Sequence, residues 1–142
     1  MAYCSQSDIE KLLPPRELAE LTADSGDLPD SAVIAACITK AEAEIDAHLG
    51  QRYEVPLAVL PAAVASWAVD VAIYHLYSRR SAVPAVREER YRRVLAFLRE
   101  VAAGTAVLGS EGAELPRRRE SGAPAEVAAA PRVFHRDGLR DF

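Results

Sequence analysis

Apolar residues recur along most of this chain at helical rather than strand spacing. The widest stripe lies in PAAVASWAVDVAIYHLYSRR, residues 61–80, at Val64, Trp67, Ala68, Val71, Ile73, Tyr74, Leu76 and Tyr77. Only Ser66, Asp70 and the Arg79–Arg80 end read as wet, so this helix has to be covered on most of its sides. That places it at the centre of a helical domain, around a Trp67 expected to be buried. Pro61 suits its first turn, where a missing N–H has no partner to lose.

The flanking stretches follow the same period. Residues 31–49 carry Ile34, Ile38, Ala41, Ile45 and Leu49 in steps of four, three, four and four, with Lys40, Glu42, Glu44 and Asp46 on the wet side. Asp30 or Ser31 is the expected cap, and Gly50 stands where a left-handed residue ends a helix. Residues 85–103 follow Pro84 and stop before Gly104, with Val86, Tyr91, Val94, Leu95, Leu98 and Val101 as the inner stripe. Two short helices are expected ahead of these. One spans 8–13, capped by Ser5 or Ser7 and stopped by Pro14–Pro15. The other spans 16–21, with Leu18 and Leu21 facing inward. Between the long helices QRYEVPLAVL, residues 51–60, reads as an extended connector whose Tyr53, Val55 and Leu57 alternate. The reading is an all-α fold, a small bundle of four to five helices, over residues 1–109. Its core comprises Ile34, Ile38, Ile45, Leu49, Trp67, Val71, Tyr74, Tyr91, Leu95 and Leu98.

Beyond 109 the pattern changes. Gly, Pro, Ala and Arg dominate residues 110–131 without a helical stripe, which reads as an extended C-terminal arm. Apolar residues then return in RVFHRDGLRDF, residues 132–142, a candidate docking segment, the alternative being a tail that folds back on its own domain. Its partner-binding residues are Phe134, Leu139 and Phe142, together with Arg132, Arg136 and Arg140, which recur every fourth position.

Composition adds two points. The chain has 142 residues, half of them hydrophobic, enough for one core, and no stretch fits a signal peptide or a membrane span. A soluble protein made in the cytoplasm is therefore expected, with Cys4 and Cys37 as reduced structural thiols. Charge is divided more sharply than the net of −4 suggests: residues 1–60 hold 4 Lys/Arg and 11 Asp/Glu, whereas 61–109 hold 7 and 4. An acidic front and a basic rear fit either head-to-tail attraction between copies or simply two solvated faces.

Candidate chemistry is sparse. Asp24, Asp27 and Asp30 are spaced by three rather than two and lack the glycine and the terminal glutamate of a calcium loop, so they read as turn and cap residues. His48 with Glu44 one turn earlier is two ligands without a third. Gly104 and Gly109 bracket no phosphate loop, since Ser110 and Glu111 stand where lysine and Ser/Thr are needed. His48, His75 and His135 lie on three separate elements outside any nucleophile motif. No catalytic residue, metal or cofactor is expected, and the protein reads as a non-enzyme. DNA recognition has thin support: the one basic cluster, Arg117–Arg118–Arg119, sits beside Glu120, and the front half is acidic.

MAYCSQSDIEKLL, AEAEIDAHLGQRYEVPL, VAIYHLYSRR, ERYRRVLAFLREVAAGTAVLG and RVFHRDGLRDF together resemble the small structural protein family of Mu-like phages, itself similar to head–tail adaptor (connector) proteins of tailed phages. The resemblance spans nearly all of the chain except the middle of the arm; members often carry a longer acidic loop at ADSGD. It implies a virion subunit at the head–tail junction, forming a ring of about twelve copies below the portal protein. DNA would pass through the channel without specific binding, and a head-closure or tail-completion protein would dock beneath. The alternative is a generic interaction or regulatory module with a partner-binding arm, and a DNA-binding regulator is a distant third.

Overall fold

The computed structural model describes residues 2–109 and 115–117, and among them the protein is all-α. Five helices follow in order: α1 (Gln6–Glu10), α2 (Pro15–Thr22), α3 (Ser31–Leu49), α4 (Ala62–Arg79) and α5 (Ala85–Ala103). Local chemistry sets most of their ends. Ser5 donates from both its N–H and its hydroxyl to the Asp8 carboxylate, at 3.0 and 2.6 Å, which starts α1 two residues earlier than expected. Asp30 caps α3 by accepting the N–H groups of Ala32 and Val33. Gly104 closes α5 in the left-handed region at φ +82°, where the guanidinium of Arg52 covers the space a Cβ would need.

Gly50 differs from expectation. It remains right-handed, at φ −61° and ψ −10°. Its glycine answers a close approach instead: a Cβ there would stand 2.9 Å from the Asp46 carbonyl oxygen and 3.3 Å from Val55.

The centre is shared. α3 and α4 pack against each other and each touches α1, α2 and α5. Ile34, Ala41, Ile45 and Leu49 of α3 are fully buried, Ile38 nearly so, and they meet Val64, Ala68, Val71, Ala72, Ile73 and Leu76 of α4 within one cluster. α5 adds Val94, Leu98 and Val101, and the short helices with the turn between them add Ile9, Leu13, Leu18 and Leu21. A side chain such as Ile45 or Leu98 contributes about 1.5–3 kcal/mol by leaving water, before packing is counted.

Four residues expected in the core are only partly buried. Trp67, Tyr74, Tyr91 and Leu95 sit at its edge, because two helices crossing at a seam bury their central stripes and leave the flanking positions at the rim. Val86, in the first turn of α5, is 62% exposed. In the connector, Tyr53 and Leu57 are buried, while Val55 faces out.

The division at residue 109 needs a correction. Leu115 is 3% exposed and belongs to the main cluster, the Glu54 N–H donates to the Pro116 carbonyl, and Tyr53 and Arg117 form an isolated antiparallel bridge. At these three residues the chain returns to the bundle rather than leaving it. The rest of the expected arm, including segment 132–142, lies outside the described residues.

Candidate functional site

The described residues hold two kinds of arrangement, polar latches inside the bundle and complementary features on its surface. The largest latch spans the seam of α3, α4 and α5. The Glu44 carboxylate accepts the Tyr91 hydroxyl at 2.6 Å and lies 2.9 Å from His75 Nε2. Tyr91 stacks on Tyr74 with ring centroids 3.7 Å apart, and the His75 ring stands edge-on to both. Burial pushes the His75 pKa below its ordinary value, with the Glu44 hydrogen bond pulling the other way. Burial, followed by the Glu44 hydrogen bond, pushes the Tyr91 hydroxyl well above its usual value. With the His75 side chain 7% exposed, the group acts as a three-helix tie that fixes register.

A second latch holds the N-terminal segment. The Tyr3 hydroxyl donates to Asp46 at 2.5 Å and accepts the Leu57 N–H at 2.9 Å, while its backbone N–H donates to Glu42 at 2.6 Å. Burial, then Asp46, raises this phenol to about 12. The Tyr77 hydroxyl donates to Glu17, joining α2 to α4.

Arg79 and Arg80 do more than wet a helix end. Arg79 donates to the carbonyls of Leu21 and Thr22 at 3.1 and 3.3 Å and to Asp24 at 3.0 Å; Arg80 donates to the Ala23 carbonyl at 2.7 Å. Two cations thus satisfy the orphan carbonyls at the end of α2, where the helix dipole also favours them. Thr22 pins the other end of the same loop, its hydroxyl accepting the Asp30 N–H at 2.9 Å. Asp24 and Asp30 are therefore engaged in a clamp and a cap. Sequence alone could not show this, because Arg79 and Asp24 stand 55 positions apart. His48 does not share Glu44, which turns to His75 and Tyr91 instead.

On the surface, Leu28 is 81% exposed at the tip of the pinned loop, beside Asp27. Elsewhere, α4 and α5 leave a hollow of about 270 Å³ lined by Trp67, Asp70, Arg90, Arg93, Val94 and Phe97. The Trp67 and Phe97 rings form its floor, 4.9 Å apart and tilted by 51°. Arg90 lies 3.5 Å from Asp70, and Arg93 pairs with Glu89 along α5. No helix of the described residues is long and apolar enough to cross a membrane. The expected partner-binding residues Arg132, Phe134, Arg136, Leu139, Arg140 and Phe142 lie outside the described residues.

A relative, the Mu-like prophage FluMu protein gp36 of Haemophilus influenzae, is 31% identical over 113 residues, covering 80% of this chain and 77% of its own length. Residues 3–126, which include all five helices and the Leu115–Arg117 return, match the family described as Bacteriophage Mu, Gp36. The chain is a phage protein and belongs to the Bacteriophage Mu Gp36 family.

Proposed function

We propose that this protein is a structural head–tail adaptor subunit of a tailed phage, located in the virion at the head–tail junction. In this reading about twelve copies close a ring below the portal, and DNA passes through without being gripped. Membership of the Bacteriophage Mu Gp36 family carries the proposal, because it ties the chain to phages of the Mu type. Two further observations support it. Among the described residues, Glu44, His75, Tyr91, Tyr3 and Asp46 form polar latches between helices that make the subunit a rigid block. The acidic front and basic rear suit a subunit that meets copies of itself. An acidic surface toward the channel would also repel the phosphate backbone.

Segment 132–142 is the expected tether to the portal or to a neighbouring subunit, with Phe134 and Phe142 as anchors and Arg132, Arg136 and Arg140 facing acidic groups. Cutting the chain at Gly109 is a poor test of this, since it removes the buried Leu115. Ending it after Arg117 keeps that contact.

The test is co-assembly of the full chain with its phage's portal, followed by negative-stain imaging and native mass spectrometry. A ring bound coaxially to the portal is expected, with loss of stable attachment for the chain ended after Arg117. A full chain that stays free of the portal at every ratio would overturn the adaptor role.

A further inference from the structure

Two surface features of this chain are complementary to each other. The first is a knob. Residues 23–30 are held at both ends, by Arg79 and Arg80 on Asp24 and by the Thr22 hydroxyl on the Asp30 N–H. What projects between these pins is Leu28, the most exposed large apolar side chain among the described residues. Asp27 precedes it and is exposed. A leucine presented this way on a pinned loop has little reason to remain in water when an apolar recess is on offer.

The second feature is a socket. The Trp67–Phe97 floor between α4 and α5 is apolar and half-buried, and Arg90 and Arg93 stand over it. The hollow of about 270 Å³ is large enough to take a leucine side chain, and it pairs an aromatic floor with a cationic rim. The Arg93 side chain is 76% exposed, and its partner Glu89 is 61% exposed. Such a solvated pair is weak, so Arg93 can exchange Glu89 for another carboxylate at little cost. Arg90 is half exposed at 50%.

We propose that Leu28 of one copy seats in the Trp67–Phe97 hollow of a second copy, with Asp27 meeting Arg93. The inference rests on the self-assembling reading above and names the contact that closes it. Apolar knob meets aromatic socket, and acid meets guanidinium, in agreement with the net charges of the two halves of the chain. Because knob and socket are different patches of one surface, the contact is heterologous: each subunit offers a knob forward and a socket behind. Such an interface closes into a ring or runs on as a filament, and it never stops at a two-fold dimer.

The sole tryptophan lies in the socket, so it reports on the contact directly. Sedimentation velocity and intrinsic fluorescence of the full chain are followed against concentration, at low and high salt. Wild type should self-associate, with Trp67 emission moving to shorter wavelength as it does, and with weaker association in salt. Leu28→Ser, Asp27→Lys and Arg93→Glu should each weaken association about tenfold or more, as central interface residues do. Mixing the Asp27→Lys chain with the Arg93→Glu chain should restore association, because each supplies the charge that the other now needs.

Variants that associate as wild type does would overturn the contact and leave the ring reading in place. Failure of the mixed pair to recover would also overturn it. So would a wild type that stays monomeric at every concentration. The adaptor role is then judged separately by binding to the portal.

Discussion

The Glu44 cluster and the Trp67–Phe97 hollow lie against the same two helices, α4 and α5, yet each holds residues that simple hydropathy would put in the other place. A buried imidazole, with a partly buried carboxylate and phenol, ties the three-helix seam, while the largest apolar ring of the chain lies at the edge of the core. The difference is partnership. Glu44 accepts hydrogen bonds from neighbours on two other helices, so its burial is compensated. Trp67 packs at the edge of the core and on Phe97, and the rest of its surface lines the hollow. Polarity goes inside where the chain completes it, and apolar surface stays outside where a second chain can.

Breaking that comparison begins with the core both regions share. Ile45→Ala and Leu98→Ala, each at a fully buried side chain, should cost about 2–5 kcal/mol in thermal or urea unfolding. Next is the latch itself. Glu44→Ala leaves His75 and Tyr91 without their acceptor and should cost about 1–3 kcal/mol, with Glu44→Gln costing less because it still accepts from Tyr91.

The latch also predicts a pH response. The His75 pKa in the folded state lies below the ordinary 6.5, through burial and the nearby Lys40 against the pull of Glu44. The unfolded chain therefore binds the proton more readily, so stability holds above pH 6.5 and falls on acidification below it. The tyrosines act in the opposite direction. Tyr3 and Tyr77 are raised to about 12, chiefly by burial, and the unfolded phenols ionise first. Stability present below pH 10 is then lost as pH rises toward 12. Equilibrium unfolding across both pH ranges, with His75→Gln and Tyr3→Phe as controls, checks both signs.

At the rim the effect should be smaller. Trp67→Ala should cost about 2–3 kcal/mol, below the 3–5 typical of a fully buried Trp, because the ring is only partly buried. The smallest change is at a helix end: Asp30→Ala removes the cap of α3 and should cost about 1 kcal/mol, read as a shift in melting temperature.

The same contrast explains what could be read from the residues alone. The α3 stripe from Ile34 to Leu49 was legible because every step in it is local, and its expected ends coincide with Ser31–Leu49. The stripe of α4 was legible too, but its width hid the fact that Trp67 sits at the edge of the core, against Phe97 of α5, rather than at its centre. Val86 fits the period of α5 and is still exposed, since periodicity names a face and cannot say where the neighbouring helix stops. Glu44 invited pairing with His48 one turn away, whereas its partners lie 31 and 47 positions on. The Arg79–Asp24 clamp and the return of Leu115 to Tyr53's connector are distant in the same sense. Knob and socket are the extreme case, for their proposed partnership runs between chains.

One reading tests this account most directly: the emission maximum of Trp67 in the wild-type chain as concentration is raised from a dilute monomer. The account predicts an intermediate maximum when dilute, fitting a partly buried ring, and a move to shorter wavelength in step with the growth in sedimenting mass. A maximum that stays fixed while the protein assembles would contradict it, because the socket would then be open in the assembly as well.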